Sequence, residues 1–141
     1  MAKKISIGID LGGTKIMAVV FDRNFEVMAT SRVPTEGHRG SKAGLKRIWS
    51  TIESAMDSAG VTKDDVISCG IGCPGVVDFS EGVLREAANL GWSDVKIGKY
   101  LSKKIGKNVL LESILIKKKK GDLLLTFLVK LIHICRQEMQ K

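Results

Sequence analysis

An α/β domain built on a mixed sheet is the fold class this sequence predicts, and three observations predict it. The chain opens with a β-branched apolar run, residues 5–11, which turns on Gly12-Gly13 and returns as a second apolar run, 16–21. Leu45, Ile48, Trp49, Ile52, Met56 and Ala59 then recur at helical spacing. Two later apolar runs, 66–73 and 108–111, are separated by a hairpin-like stretch and a second helical period. A meander feeding helical crossovers into further strands gives a mixed sheet with helices packed on it.

The opening turn, Asp10-Leu11-Gly12-Gly13-Thr14-Lys15, carries the first chemical signal. Gly12 and Gly13 have no Cβ, so an anion can approach the backbone, and successive N–H groups in such a turn form an anion-binding concavity. Asp10 is suited to hold a metal ion directly or through water, and Thr14 and Lys15 add donors. The same residues also suit an ordinary two-residue glycine hairpin, so the turn alone leaves both readings open.

The remaining elements follow in order. Asp22-Arg23-Asn24 is a polar turn, and 25–33 reads as a third strand. The helix that follows takes Ser41 as its N-cap and Gly60 as its C-terminal glycine. Residues 66–73 read as a buried strand whose glycines permit close backbone packing. Pro74-Gly75 makes a turn, and Val76 to Arg85 has the look of a hairpin. Asn89-Leu90-Gly91-Trp92 reads as a short loop. Ile97, Leu101 and Ile105 place a second helix over 94–105, closed by Gly106, and 108–111 is the last strand.

Composition narrows the class. With 141 residues, 44% apolar and 27% charged, the chain suits one domain of a globular protein. The net charge of +8 is uneven: residues 1–112 carry 16 Lys and Arg against 13 Asp and Glu, whereas 113–141 carry 7 against 2. Most of the basicity therefore sits in the last fifth and says little about the main domain, for which no nucleic-acid partner is expected. Cys69, Cys73 and Cys135 have neither metal-ligand spacing nor an even disulfide framework. Cys69 and Cys73 share one face of a strand, as buried free thiols would, which fits a reducing, cytoplasmic setting. The run after Met1-Ala2-Lys3-Lys4 is interrupted early by Asp10 and makes a poor signal peptide, and no apolar run is long enough to cross a membrane.

The opening turn, the Gly70-Ile71-Gly72-Cys73-Pro74-Gly75 turn and the 89–92 loop, in this order and spacing, resemble the ROK family of bacterial sugar kinases and related repressors. That family belongs to the actin-like ATPase and sugar-kinase superfamily. The resemblance covers residues 5–112 and implies an actin-like ATPase (ribonuclease H-like) amino-terminal lobe, a mixed five-stranded sheet with flanking helices. It implies that Asp10, Gly12, Gly13, Thr14 and Lys15 handle nucleotide phosphate and Mg²⁺. It places Pro74, Gly75 and Asn89 on the sugar side of the cleft, with ATP and Mg²⁺ as cofactors. A carboxamide both donates and accepts, as a sugar hydroxyl does, although Asn89 also suits an Asx-turn. Trp92 is expected to pack and fix its loop.

The resemblance also shows what this chain lacks. Phosphoryl transfer to a hydroxyl needs a base in line with the γ-phosphate. In these kinases it is the aspartate of a Glu-Asn-Asp motif; here Glu112 continues Ser113-Ile114, so Ile114 stands at the base position. The family's Glu-x-Gly-His motif, cysteine-rich zinc site and second phosphate loop have no counterpart in the sequence. Family match, composition and charge all change between Glu112 and Ile114. Residues 113–141, with Lys117 to Lys120 and an almost continuously apolar run after Leu123, are therefore expected to be a non-homologous tail of frameshift origin.

Three functions are weighed on this basis. The first is the amino-terminal part of an ATP-dependent hexose kinase of glucokinase type, acting on the sugar 6-hydroxyl and inactive as this chain. The second is a ROK-type transcriptional regulator or sugar sensor, disfavoured because the first strand starts by Ile5 and leaves no helix-turn-helix before it. The third is a binding module whose apolar tail completes a homodimer.

Overall fold

The structure, a computed structural model, describes residues 3–113. Eight strands and two helices follow one another as β1 (Ile5–Leu11), β2 (Lys15–Phe21), β3 (Val27–Pro34), α1 (Ser41–Ala59), β4 (Val66–Cys73), β5 (Val76–Asp78), β6 (Val83–Ala87), β7 (Trp92–Val95), α2 (Ile97–Ile105) and β8 (Val109–Ser113). Single turns of 3₁₀ helix precede α1 and β4. The main sheet has five strands in the order β3-β2-β1-β4-β8, antiparallel from β3 to β1 and parallel from β1 to β8. A second, antiparallel sheet is formed by β5-β6-β7.

Strand alternation builds a continuous apolar face across the central strands. Ile5, Ile7, Ile9 and Leu11 of β1 lie beside Ile16, Ala18 and Val20 of β2 and Cys69, Ile71 and Cys73 of β4. Ile48, Ile52, Ala55 and Met56 of α1 close over this face toward β2 and β3, and Ile97, Leu101 and Ile105 of α2 close over it toward β8. One core results, and it includes Leu84, Trp92 and Val95 from the small sheet and Leu90 from the loop between β6 and β7. Met17, Val19 and Phe21 form a separate buried cluster on the opposite face, which Ser6 and Ser68 share through a 2.8 Å hydroxyl pair. Trp49, expected in the apolar stripe of α1, is half-buried at the margin of the core.

Five boundaries differ from the sequence expectation. The third strand begins at Val27 rather than residue 25, because Asp22 accepts the amides of Asn24 and Glu26 and holds Phe25 at φ 60. Ser41 is the first helical residue, not the N-cap; Gly40 caps the helix at φ 96, a conformation a serine would adopt only under strain. The 89–92 loop ends at Leu90-Gly91, because Trp92 starts β7 and pairs with Ala87. Asp94 and Val95 belong to that strand, so α2 starts at Ile97, not residue 94; cross-strand pairing of Val95 with Leu84 overrides the local helical period. The last strand runs two residues past 111, to Ser113 opposite Cys73.

The small sheet is pinned by Asp78. Its carboxylate accepts the Glu81 amide, the Ser80 hydroxyl and the Arg85 guanidinium, which together hold its pKa below the usual range. Arg85 also reaches Asp94 at 3.2 Å, but both pairs are exposed and such pairs contribute little stability. Cys69 and Cys73 are buried free thiols, while Cys135 lies outside the described residues.

Replacing Ile71, which is 0% exposed in the middle of β4, by alanine should cost about 2–5 kcal/mol in denaturant unfolding. Val27→Ser, at a position 58% exposed, should stay within about 0.5 kcal/mol. In a Cys135→Ser variant the two remaining thiols should resist a disulfide reagent until the chain is unfolded. Burial, and secondarily the Asp10 carboxylate, pushes the Cys73 thiol from an ordinary 9.0 up to about 12. Since the folded value is the higher one, this contribution is complete below about pH 9 and lost as pH rises from there toward 12. The denaturant midpoint should fall over that window, and less so in Cys73→Ala.

Candidate functional site

In an open sheet with parallel strands, ligands bind beyond the carboxyl ends of those strands. Here the carboxyl ends of β1, β4 and β8 lie side by side and carry Asp10, Cys73 and Glu112-Ser113. The opening turn leaves β1 and Pro74-Gly75 leaves β4 at this edge.

Asp10 is paired in register with Met17 on one side and with Gly72 on the other. Glu112 stands opposite Gly72 from β8, so two carboxylates flank a residue without a side chain on one face of the sheet. Lys15, two residues before Met17 in β2, shares that face. The turn between β1 and β2 is closed by the Gly12 amide donating to the Lys15 carbonyl at 2.9 Å. Thr14 and Lys15 are exposed, Asp10 half-buried.

The two glycines of this turn face different neighbours. A Cβ on Gly12 would lie 2.8 Å from the Lys15 carbonyl oxygen, so the turn itself excludes a side chain there. A Cβ on Gly13 would lie 2.6 Å from Nδ2 of Asn89. Asn89, 76 positions along the chain, thus rests its carboxamide on the bare backbone of Gly13. The phosphate-type turn and the 89–92 loop touch.

Pro74-Gly75 continues directly from β4. Gly75 has φ 137, and a Cβ on it would lie 2.0 Å from the Glu86 carbonyl oxygen, so this turn requires glycine. The Ser113 hydroxyl donates to the Gly75 carbonyl, tying the end of β8 to the turn. Ile114 lies outside the described residues.

Sequence reasoning passed over Thr35 and Gly37. Thr35 is fully buried; its amide donates to the Thr14 carbonyl and its hydroxyl to the Gly12 carbonyl, each at 2.8 Å. Gly37 accepts the Trp92 indole N–H at 3.0 Å, and the Trp92 ring lies over Gly44 of α1. Trp92 is 2% exposed and is therefore a packing residue of its loop, with no ring face open to a ligand. Two weak signals mark this stretch: a threonine after a proline at a strand end, and glycines spaced as 37, 40 and 44.

A groove of about 300 Å³ lies between β3 and α1, lined by Val33, Thr35, Arg39, Gly44, Arg47 and Thr51 among others. None of the groove's lining residues named above belongs to the opening turn or the 89–92 loop. Among the described residues no helix is long and apolar enough to cross a membrane.

Comparison with known proteins shows the family and the fold. A profile of the ROK family matches residues 6–113. The chain is 30% identical to the glucokinase of Thermotoga maritima over 114 residues, 80% of this chain and 34% of that protein. It is 34% identical to the N-acetyl-D-glucosamine kinase of Haemophilus influenzae over 107 residues, 75% of this chain and 33% of that one. It therefore spans about a third of the length of these relatives. A ROK family glucokinase from Streptomyces griseus, crystallised with glucose and AMPPNP, superposes with a TM-score of 0.66 at 28% identity, over 77% of this chain and 33% of that chain. A ROK family transcriptional regulator has the same fold, with a TM-score of 0.65 at 17% identity over 79% of this chain and 28% of its own. The actin-like α/β fold, the five-stranded mixed sheet and the matched span agree: residues 6–113 belong to the ROK family, in a glucokinase-like form.

Proposed function

We propose that residues 1–112 are the amino-terminal lobe of an ATP-dependent hexose kinase of glucokinase type, which phosphorylates the sugar 6-hydroxyl. The observation that carries this reading is the contact of the Asn89 carboxamide with Gly13. It sets a group suited to a sugar hydroxyl directly against a turn suited to phosphate, the juxtaposition that transfer of a phosphoryl group to a sugar demands. The presence of glucose and AMPPNP in the Streptomyces griseus structure supports the same pairing of ligands.

The residues present fit Mg²⁺ and ATP. Mg²⁺ keeps several waters and is commonly held by one or two carboxylates together with phosphate, so Asp10 at the sheet end meets its needs. The turn amides of residues 13–15, with the Thr14 hydroxyl and Lys15, would receive the phosphates beside the bare backbone of Gly12 and Gly13. ATP supplies the transferable γ-phosphoryl group. Gly13 leaves room for close approach, and Asn89 with Pro74 and Gly75 orients the sugar. What this lobe contributes is binding and orientation. The base that must accept the hydroxyl proton has no counterpart at Ile114, and residues 113–141 form, in this reading, an unrelated tail of frameshift origin. The 141-residue chain is then a half-site without turnover. Reading the genomic frame after the Glu112 codon tests the tail: an alternate frame encoding Asn-Asp and a second lobe is expected, and its absence would remove the frameshift.

A coupled assay with ATP and glucose should show no rate above the buffer blank; measurable turnover would overturn the half-site reading. Titration with Mg·AMPPNP should show binding no tighter than about 1 mM, the weak end of the affinity scale. Gly13→Ala should displace the flexible Asn89 end at a cost of about 1 kcal/mol in stability and abolish that binding. Binding unchanged in Gly13→Ala would move the nucleotide elsewhere. A gel shift with sugar-operon promoter DNA separates the regulator reading, which the shared fold of the transcriptional regulator keeps in play, and no shift is expected.

A further inference from the structure

We propose that Thr35 is a positioning residue of the phosphate turn, and that residues 35–37 are a strap holding this turn and the 89–92 loop in one fixed geometry. The proposal rests on the nucleotide reading for its consequence, but its geometry stands without it.

Thr35 makes both of its backbone-directed bonds to the turn. Its hydroxyl fixes the Gly12 carbonyl and its amide fixes the Thr14 carbonyl, at 2.8 Å each. In a planar trans peptide the carbonyl and the following N–H point in opposite directions. Drawing the Gly12 carbonyl toward Thr35 therefore aims the Gly13 amide away from it, and drawing the Thr14 carbonyl does the same for the Lys15 amide. One buried residue, 0% exposed, sets the direction of two donors in the turn. Without it the Gly12-Gly13 segment has the widest conformational freedom a chain can have, and aimed donors are what an anion site must provide.

The same short segment grips the other half of the site. Gly37 accepts the buried Trp92 indole N–H at 3.0 Å. Its Cα lies so close to Leu90 that an added Cβ would meet Leu90 Cδ2 at 2.7 Å. Glu36, between the two gripping residues, sits in the left-handed region at φ 50, where a non-glycine residue is strained. It is held there by Arg39 at 3.0 Å and Arg47 at 3.6 Å, and Arg47 also donates to the Pro34 carbonyl. The strained residue is what lets the residues on either side of it face different partners: the turn at Thr35, the loop at Gly37. Asn89 and Gly13 meet because both are fixed to this strap.

The test uses the 141-residue chain, labelled for amide exchange by NMR. Thr35→Val keeps the shape and the amide but removes the hydroxyl donor; Thr35→Ser keeps the donor. In Thr35→Val, the Gly12 carbonyl loses its buried donor and the turn should open more often, so that the Gly12 amide, which donates to the Lys15 carbonyl across it, exchanges about tenfold faster. The Gly13 amide and the Asn89 side-chain amide should shift as well. Thr35→Ser should restore all three. In the unaltered chain the Thr35 hydroxyl proton should exchange slowly enough to be observed directly, which needs no variant to fold. Changes confined to residues 34–36, or a hydroxyl proton lost to fast exchange, would overturn the proposal. Mg·AMPPNP binding should weaken about tenfold in Thr35→Val with recovery in Thr35→Ser, at a melting temperature that does not track the loss; unchanged binding beside altered exchange would refute the positioning role. If the unaltered chain takes up no nucleotide, the kinase reading fails, and the exchange data still decide the strap.

Discussion

The parallel pairing of β1 with β4 is the constraint on which the rest depends. It brings Asp10 into register with Gly72, so that the turn leaving β1 and the turn leaving β4 emerge at the same sheet edge. Both strands are buried on the helix-facing side, by α1 and α2 acting through one core, and a slip of one residue would turn Ile7, Ile9 and Ile71 out of it. Register at the centre thus determines where the chemistry-bearing turns stand. The extension of β8 to Ser113 adds a third strand end, which the Ser113 hydroxyl ties to Gly75.

The small sheet β5-β6-β7 reaches the same edge by a different route. It is an excursion between β4 and α2, and its last strand carries Trp92 into the main core. Burying one indole, with its N–H satisfied by Gly37, lets a loop far along the sequence settle against the opening turn. In the proposed reading that placement is the function of the excursion: it delivers Asn89 to Gly13. The lobe then resembles a half-built cleft, with an open edge where the relatives have roughly twice as much chain again.

Much of this was legible in the sequence because periodicity and glycine chemistry are local signals. The strands at the centre, both helices and the 76–85 hairpin follow from alternation, helical spacing and Gly60 or Gly106 at helix ends. The residues of the opening turn could be singled out because their chemistry suits phosphate or a metal, whereas Pro74, Gly75 and Asn89 could be singled out through the resemblance of their turns to a family; the opening turn and Asn89 are in contact at Gly13. What escaped were features fixed by distant partners. Trp92 and Val95 look like loop and helix until their pairing with Ala87 and Leu84 is seen. Thr35 looks like a linker residue until the Gly12 and Thr14 carbonyls are seen beside it. Gly40 takes the cap from Ser41 because only backbone geometry distinguishes them.

The central claim is that residues 10–15 and Asn89 form two sides of one site. The most direct measurement is an NMR titration of the 141-residue chain with Mg·AMPPNP, followed by glucose, reading every backbone and side-chain amide. The account predicts that nucleotide moves the amides of Gly12, Gly13 and Lys15, and that glucose then moves the Asn89 carboxamide. Shifts at the groove of Arg39 and Arg47 with the turn unmoved, or no shift at saturating millimolar nucleotide, would contradict it.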